Sequence, residues 1–271
     1  LDLDPERVES ITILKDAAAT SVYGSRAANG VVVVETKVAP DGALSVSYNG
    51  TMTVQAPDLT DYNMMDASTK LETEWRAGLY NPNNAAHMNL YNKYRRNVLG
   101  GVNTYWLSKP LRTAIQHRHS VSVAGGTEAF RYSLDVNAAM QPGVMKESEN
   151  QTKGVNFNMT YMKDKFTMRA NVSVSESDSK NSPYGSFSQY TRLNPYYIPT
   201  DANGKPQKVL DNNTVSGQST VITNPLYDAT VGIKDLTNSL NVTTSIGLEY
   251  MILKNLRITE QFSYSRGMAG T

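Results

Sequence analysis

The chain has 271 residues, with 26 Lys plus Arg against 25 Asp plus Glu, and no cysteine. A near-neutral balance without like-charge runs leaves no electrostatic footprint for nucleic acid, and the missing thiols exclude disulfide staples, thiolate metal sites and cysteine nucleophiles. Mean hydropathy is -0.43 and no apolar run is long enough for a membrane-spanning helix, yet a chain that crosses with strands hides its apolar residues at every second position.

Leu1 follows no initiator Met, basic n-region or apolar leader, so the chain reads as an internal segment of something longer. From Val8 to Leu14 it alternates in Val, Ile and Leu; Asp16 to Val22 then offers a short helix of small residues that Gly24 can close. Asn29-Gly30 supplies a turn permissive of positive φ, and Val31 to Val34 with Thr36 forms a second, continuously apolar strand. Residues 1–40 are thus expected to form a buried strand–helix–strand unit.

Ala39-Pro40-Asp41-Gly42 is a turn-rich joint, and the pattern changes after it. Leu44, Val46, Tyr48, Gly50, Met52 and Val54 alternate with Ser45, Ser47, Asn49, Thr51 and Thr53, the split expected when one face meets lipid and the other a wet interior. The device recurs at 130–137, 155–161, 166–174, 240–250 and 256–264, the last with Glu260 on its apolar face. Tight turns near 125–128, 163–165 and 251–255 alternate with long loops near 56–118, 141–152 and 177–237. Short turns on one side and long loops on the other predict residues 43–271 to be part of a transmembrane antiparallel β-barrel, with about seven strands and extracellular loops.

The long loops concentrate aromatic side chains suited to sugar rings or peptide side chains: Tyr91, Tyr94, Tyr105 and Trp106 in one, Tyr184, Phe187, Tyr190, Tyr196 and Tyr197 in another. Asp66 to Trp75 predicts a helix, and Asn81-Pro82-Asn83-Asn84 a break. On the polar strand faces Arg131, Asp135, Arg169 and Glu249 are candidate lumen contacts, with plain solvation as the simpler account. His117 and His119 fall on one side of a strand, but no neighbouring Cys, Asp or Glu completes a metal set. No nucleophile–base order, phosphate-cradling loop or carboxylate pair stands out, which argues for a non-enzyme without cofactor or metal.

At Val8 to Lys37 the stretch VESITILKDAAATSVYGSRAANGVVVVETK resembles the C-terminal part of the plug of TonB-dependent receptors in the SusC/RagA version, through its LKDA, YGSRAANGV and TK elements. Asn103-Thr104-Tyr105-Trp106 and HSVSVAGG at 119–126 are similar to the family's first barrel hairpin, and the likeness thins beyond Ser175. The resemblance implies an integral, multi-pass outer-membrane protein of about 22 strands around a plug. It further implies energy from TonB and its ExbB–ExbD complex through an N-terminal segment absent here, a SusD-like surface lipoprotein, an oligosaccharide or peptide substrate, and lipid and lipopolysaccharide around the wall.

Under this resemblance Lys15, Asp16, Tyr23, Gly24, Arg26, Asn29 and Gly30 form the plug signature, mostly through helix capping and turns, with a role in sensing ligand as the functional alternative. Two rival readings remain open: a surface binding or adhesion protein of barrel architecture without active transport, and a soluble β-sandwich, which would bury one face of each sheet in protein.

Overall fold

The computed structural model describes residues 8–15, 30–36, 42–215, 218–233 and 235–270. β1 (Val8–Leu14) and β2 (Val31–Thr36) pair antiparallel, with Val8 opposite Thr36 and Leu14 opposite Val31. Gly30, which leads into β2, has φ +99°, and a Cβ there would stand 3.1 Å from the Leu14 carbonyl oxygen, so this position asks for glycine on backbone grounds. The helix expected between the two strands lies outside the described residues. Ile11, Ile13 and Val32 are exposed rather than buried as their sequence suggests, because no second layer among the described residues covers the pair.

All seven strands expected after the joint form one sheet: β3 (Gly42–Gln55), β4 (Ala114–Gly126), β5 (Phe130–Pro142), β6 (Glu149–Lys163), β7 (Phe166–Lys180), β10 (Leu236–Leu253) and β11 (Leu256–Gly270). Spatial order follows the chain, every pair is antiparallel, and among the described residues the sheet stays open, with β3 and β11 at its edges. A single sheet of this extent, with no second large sheet against it among the described residues, does not fit the sandwich reading.

The tight turns at 127–129, 164–165 and 254–255 share one end of the sheet, where β3 also starts. Asp164 takes φ 52°, a left-handed turn conformation that Asp tolerates better than most residues. At the other end lie the connections 56–113, 143–148 and 181–235, each trimmed relative to the loops read from the sequence. The correction has a physical source. Where β4 to β7 extend past the apolar stripe both faces become polar, so alternation disappears although backbone pairing continues: Gln116 to Arg118, Gln141 to Pro142, Glu149 to Thr152 and Ser177 to Lys180 are all paired.

The long connections carry structure of their own. α1 (Ala67–Arg76) starts at Asp66, whose side chain accepts from the Thr69 amide at 2.7 Å, one residue from the expected boundary. α2 (Ala85–Leu99), unforeseen, is capped by Asn84, which accepts from the Ala86 and His87 amides; the tract taken as a break is thus also a helix start. A 3₁₀ turn (Trp106–Ser108), α3 (Phe187–Thr191), the hairpin of β8 (Val209–Val215) and β9 (Gln218–Thr223), and α4 (Pro225–Asp228) complete them.

Apart from Ala114 and Ala139, the buried apolar side chains of the described residues lie in these connections rather than on the sheet. Ala67, Leu71, Tyr80, Tyr94, Trp106, Tyr190, Tyr196, Tyr197 and Leu210 form one cluster. The 56–113 and 181–235 segments therefore fold against each other as a cap over one end of the sheet.

Candidate functional site

Residues of one parity on the seven strands line a single polar face. Ser133, Asn158, Asn171, Ser245 and Ser263 lie side by side across β5, β6, β7, β10 and β11. Asn171 Nδ2 donates to Asn158 Oδ1 at 2.6 Å, and Asn158 Nδ2 donates to Ser133 Oγ at 3.2 Å. Ser122 Oγ donates to the Asp135 carboxylate on the neighbouring strand. These groups satisfy one another along the sheet.

Toward the tight-turn end this face holds a concavity of about 470 Å³ lined by Arg131, Asn158, Arg169, Asn171, Glu249 and Gln261. Glu249 is ion-paired with two cations: Arg169 Nη1 lies 3.5 Å from one carboxylate oxygen and Arg257 Nη1 lies 3.7 Å from the other. Three of the four charged residues expected on the lumen face, Arg131, Arg169 and Glu249, thus meet in one place, while Asp135 stands two rows nearer the long loops. Arg257 and Gln261 escaped notice; the signal was the alternation of β11, where every second residue from Arg257 continues the polar face.

Four of the long-loop aromatics behave differently from their sequence reading, while Tyr105 stays exposed. Tyr190, Tyr196, Trp106 and Tyr197 are 0%, 2%, 3% and 6% exposed, so as placed they have almost no surface to offer a solute. They hold the cap together. Tyr94 stacks on Tyr196 with ring centres 4.4 Å apart, and Tyr197 meets Tyr196 edge-on at 5.1 Å. Trp106 Nε1 donates to the Asn194 carbonyl at 2.9 Å, and Tyr190 Oη donates to the Tyr184 carbonyl at 2.9 Å. Tyr184 itself is half-buried with the Lys146 ammonium over its ring, and Tyr91 packs against Trp75 and Tyr80.

Two buried carboxylates organise this interior. Glu74 of α1 accepts from Tyr80 Oη at 2.9 Å and Tyr196 Oη at 3.0 Å. Asp211 of β8 accepts from Lys93 Nζ and Tyr94 Oη, both on α2, and from Asn213 Nδ2 at 3.2 Å. Burial alone would raise the Asp211 carboxyl, but the donors from Lys93, Tyr94 and Asn213 outweigh it and hold the group below the usual carboxylate range. The Tyr94 phenol is pushed up, first by burial and then by its hydrogen bond to Asp211; burial likewise raises Tyr196, with Tyr80 and Glu74 adding to it.

The short 143–148 connection ties the cap to the sheet. Arg112 donates from Nε to the Gly143 carbonyl and from Nη2 to the Ser148 carbonyl, at 3.2 and 2.9 Å. Lys146 Nζ donates to the Lys109 carbonyl at 2.6 Å, and Ser182 Oγ donates to the Lys146 carbonyl at 2.7 Å.

Of the signature residues near the start, Lys15 follows β1 directly and Gly30 precedes β2; Asp16, Tyr23, Gly24, Arg26 and Asn29 lie outside the described residues. His117 and His119 sit on the apolar side of the sheet, where His119 Nδ1 is 2.7 Å from Tyr48 Oη. Among the described residues no group of three His, Cys, Asp or Glu side chains is placed to hold a metal ion.

No protein-family model matches the chain. Among curated proteins it is similar to the TonB-dependent receptor SusC of Bacteroides thetaiotaomicron, at 31% identity over 182 residues, covering 66% of this chain and 17% of that protein. It is also similar to TonB-dependent receptor P3 of Formosa agariphila, at 27% identity over 170 residues, covering 63% of this chain and 14% of that protein. The structure of the RagAB peptide importer in its open-open state shares the fold, with a TM-score of 0.76 at 20% identity, covering 98% of this chain and 32% of that one. In the closed-closed state the TM-score is 0.75. The chain therefore spans about a sixth of the first curated relative and about a third of the solved chain.

Proposed function

We infer, from a chain that matches SusC/RagA-type TonB-dependent receptors in sequence and fold, that it supplies the end of a plug and the first wall of a barrel importing an oligosaccharide or a peptide across the outer membrane. One observation carries this reading: the sheet has an apolar face, a polar face, and all its long connections at one end. In a barrel the apolar face meets lipid and the polar face lines the lumen.

The unit at 1–40 enters from the tight-turn end, which is then the periplasmic side, and the cap faces outward. The relatives are named as receptors and an importer, which supports a role in binding and passage rather than catalysis. Arg131, Arg169 and Glu249 stand on the lumen wall where a polar solute or the plug would meet them. A SusD-like lipoprotein over the cap, and TonB with ExbB–ExbD below, complete the assembly this reading requires.

The test is uptake of labelled oligosaccharides and peptides by cells carrying or lacking the full-length receptor. Uptake that depends on the receptor and disappears when the proton gradient is dissipated is the expected result. Receptor-dependent binding with no energy-dependent uptake would overturn the import reading in favour of a surface binding protein of the same architecture.

A further inference from the structure

The two histidines of β4 stand apart from the face around them. On the apolar side of the sheet β4 runs Ile115, His117, His119 and Val121, so two imidazoles interrupt a stripe that is apolar on both sides of them. Ring nitrogens among aliphatic side chains carry a cost unless something occupies them. Both histidines are exposed, so the pair is open to the outside of the sheet.

Strand register supplies what the sequence around the pair lacks. Met52 of β3 and Met140 of β5 lie directly opposite His117, one on each side, so a methionine flanks this imidazole from both neighbouring strands. Side chains directly opposite in an antiparallel pair have Cβ atoms about 4.5–5.5 Å apart, a span that a flexible methionine can bridge. His119 stands two residues along the same strand, its ring centre 5.3 Å from that of His117. A ligand set sought among carboxylates and thiols leaves both methionines out.

The ring spacing suits a shared cation. A metal about 2 Å from an imidazole nitrogen stands about 3.2 Å from that ring's centre. Two rings 5.3 Å apart then subtend about 115° at the metal, close to the tetrahedral angle. His119 is already oriented for this, because its Nδ1 is 2.7 Å from Tyr48 Oη, which leaves Nε2 as the nitrogen for a metal. With Nε2 metallated, Nδ1 carries the proton and donates to the tyrosine oxygen. Gly50, directly opposite His119, keeps that contact open, since a Cβ there would stand 2.8 Å from Tyr48 Oη.

We propose that Met52, His117, His119 and Met140 form a site for a soft monovalent cation, Cu(I) or Ag(I), with Tyr48 as the positioning residue behind His119. The donor set selects this class. Thioether sulfur favours a soft metal, whereas hard divalent ions call for carboxylate or carbonyl oxygens, which these four side chains do not offer. A cation held here ties β3, an edge of the described sheet, to β4 and β5. The site lies on the side away from the Glu249 concavity and stands on register and ring geometry alone, so it does not depend on the import reading.

The full-length receptor in detergent is equilibrated with Ag(I), which needs no reductant, then desalted and its retained silver counted. Cu(I) affinity is read anaerobically, under a reductant, by competition with a chromogenic chelator. Met52→Leu/Met140→Leu conserves volume and is expected to retain one silver ion fewer than the parent. Tyr48→Phe is expected to weaken Cu(I) binding by about tenfold, the effect of removing the group that orients a ligand histidine. X-ray absorption on the parent loaded with one equivalent of Ag(I) should show nitrogen and sulfur together around the metal, a readout that needs no variant to fold. Equal silver content in the parent and the double variant overturns the proposal, as does a metal shell without sulfur or Zn(II) held as tightly as Cu(I). A Tyr48→Phe affinity equal to the parent's overturns the role given to Tyr48.

Discussion

The cap and the sheet are built from the same chain by opposite means. In the cap, segments from 56–113 and 181–235 bury Trp106, Tyr190, Tyr196 and Tyr197 against one another, and two interior carboxylates collect tyrosine hydroxyls and a lysine. That is how a water-soluble domain closes. In the sheet, Val46, Tyr48, Met52 and Val54 are each more than half exposed and the opposite face is hydroxyl and amide. Such a surface in water would invite aggregation through both its apolar face and its open edges; in lipid the same face is where it belongs. Solvent, rather than sequence hydrophobicity, decides which of these regions keeps its greasy residues inside.

The largest expected effect lies in the cap. Tyr196→Ala removes a ring stacked on Tyr94 and the hydroxyl that donates to Glu74, leaving both a cavity and an under-satisfied buried carboxylate. The expected loss is about 3–5 kcal/mol of local stability. Hydrogen exchange on the full-length receptor should accelerate in α1 and α2 and stay unchanged in the strands near the tight turns. Equal acceleration in both would dissolve the distinction between the two regions.

A second substitution sharpens the contrast from the sheet side. Ile246 sits on the apolar face between Ala170 and Phe262, whereas Ser245, one residue earlier, sits on the polar face between Asn171 and Ser263. Ile246→Lys should destabilise the barrel in vesicles by about 2–4 kcal/mol, and Ser245→Lys by about 0–1 kcal/mol, measured by denaturant titration of the reconstituted receptor. Similar values for the two would mean that the faces do not meet different solvents.

How much of this was legible in the sequence follows from the same contrast. Where one strand face is apolar and the other polar, alternation shows at every second residue, and Leu44 to Val54 or Leu240 to Tyr250 can be placed on a sheet by inspection. Where the strands extend past the apolar stripe both faces are polar, so the pairing of Gln116 to Arg118 and Ser177 to Lys180 leaves no periodic trace. The cap was the least legible part. Its core joins Leu71 and Tyr94 to Tyr196 and Leu210, residues more than a hundred positions apart, and nothing local separates an aromatic ring that buries from one that awaits a ligand. The polar face shows the converse: Arg131, Arg169 and Glu249 share it by parity alone, but their meeting in one concavity, and Arg257 joining Glu249 there, needed the register between strands.

The smallest of the three effects asks whether the cap is held by charge as well as by rings. Asp211 joins β8 to α2 through Lys93 and Tyr94, and these donors keep its carboxyl below the ordinary range in the folded state. A depressed folded value means the stabilising contribution is complete above the unfolded value of about 3.9 and fades as pH falls through the folded one. Protection of α2 from hydrogen exchange should therefore be flat from neutral pH down to about 5 and decline below about 4. Asp211→Asn keeps the shape and one acceptor but loses the charge, so it should lower cap stability at neutral pH by about 1–3 kcal/mol, less than a fully buried pair because Lys93 remains partly in water. The variant should also flatten the acid decline. A variant as stable as the parent would leave the aromatic cluster as the cap's main fastening, whereas an undiminished acid decline in the variant would show that protonation of Asp211 is not what loosens the cap.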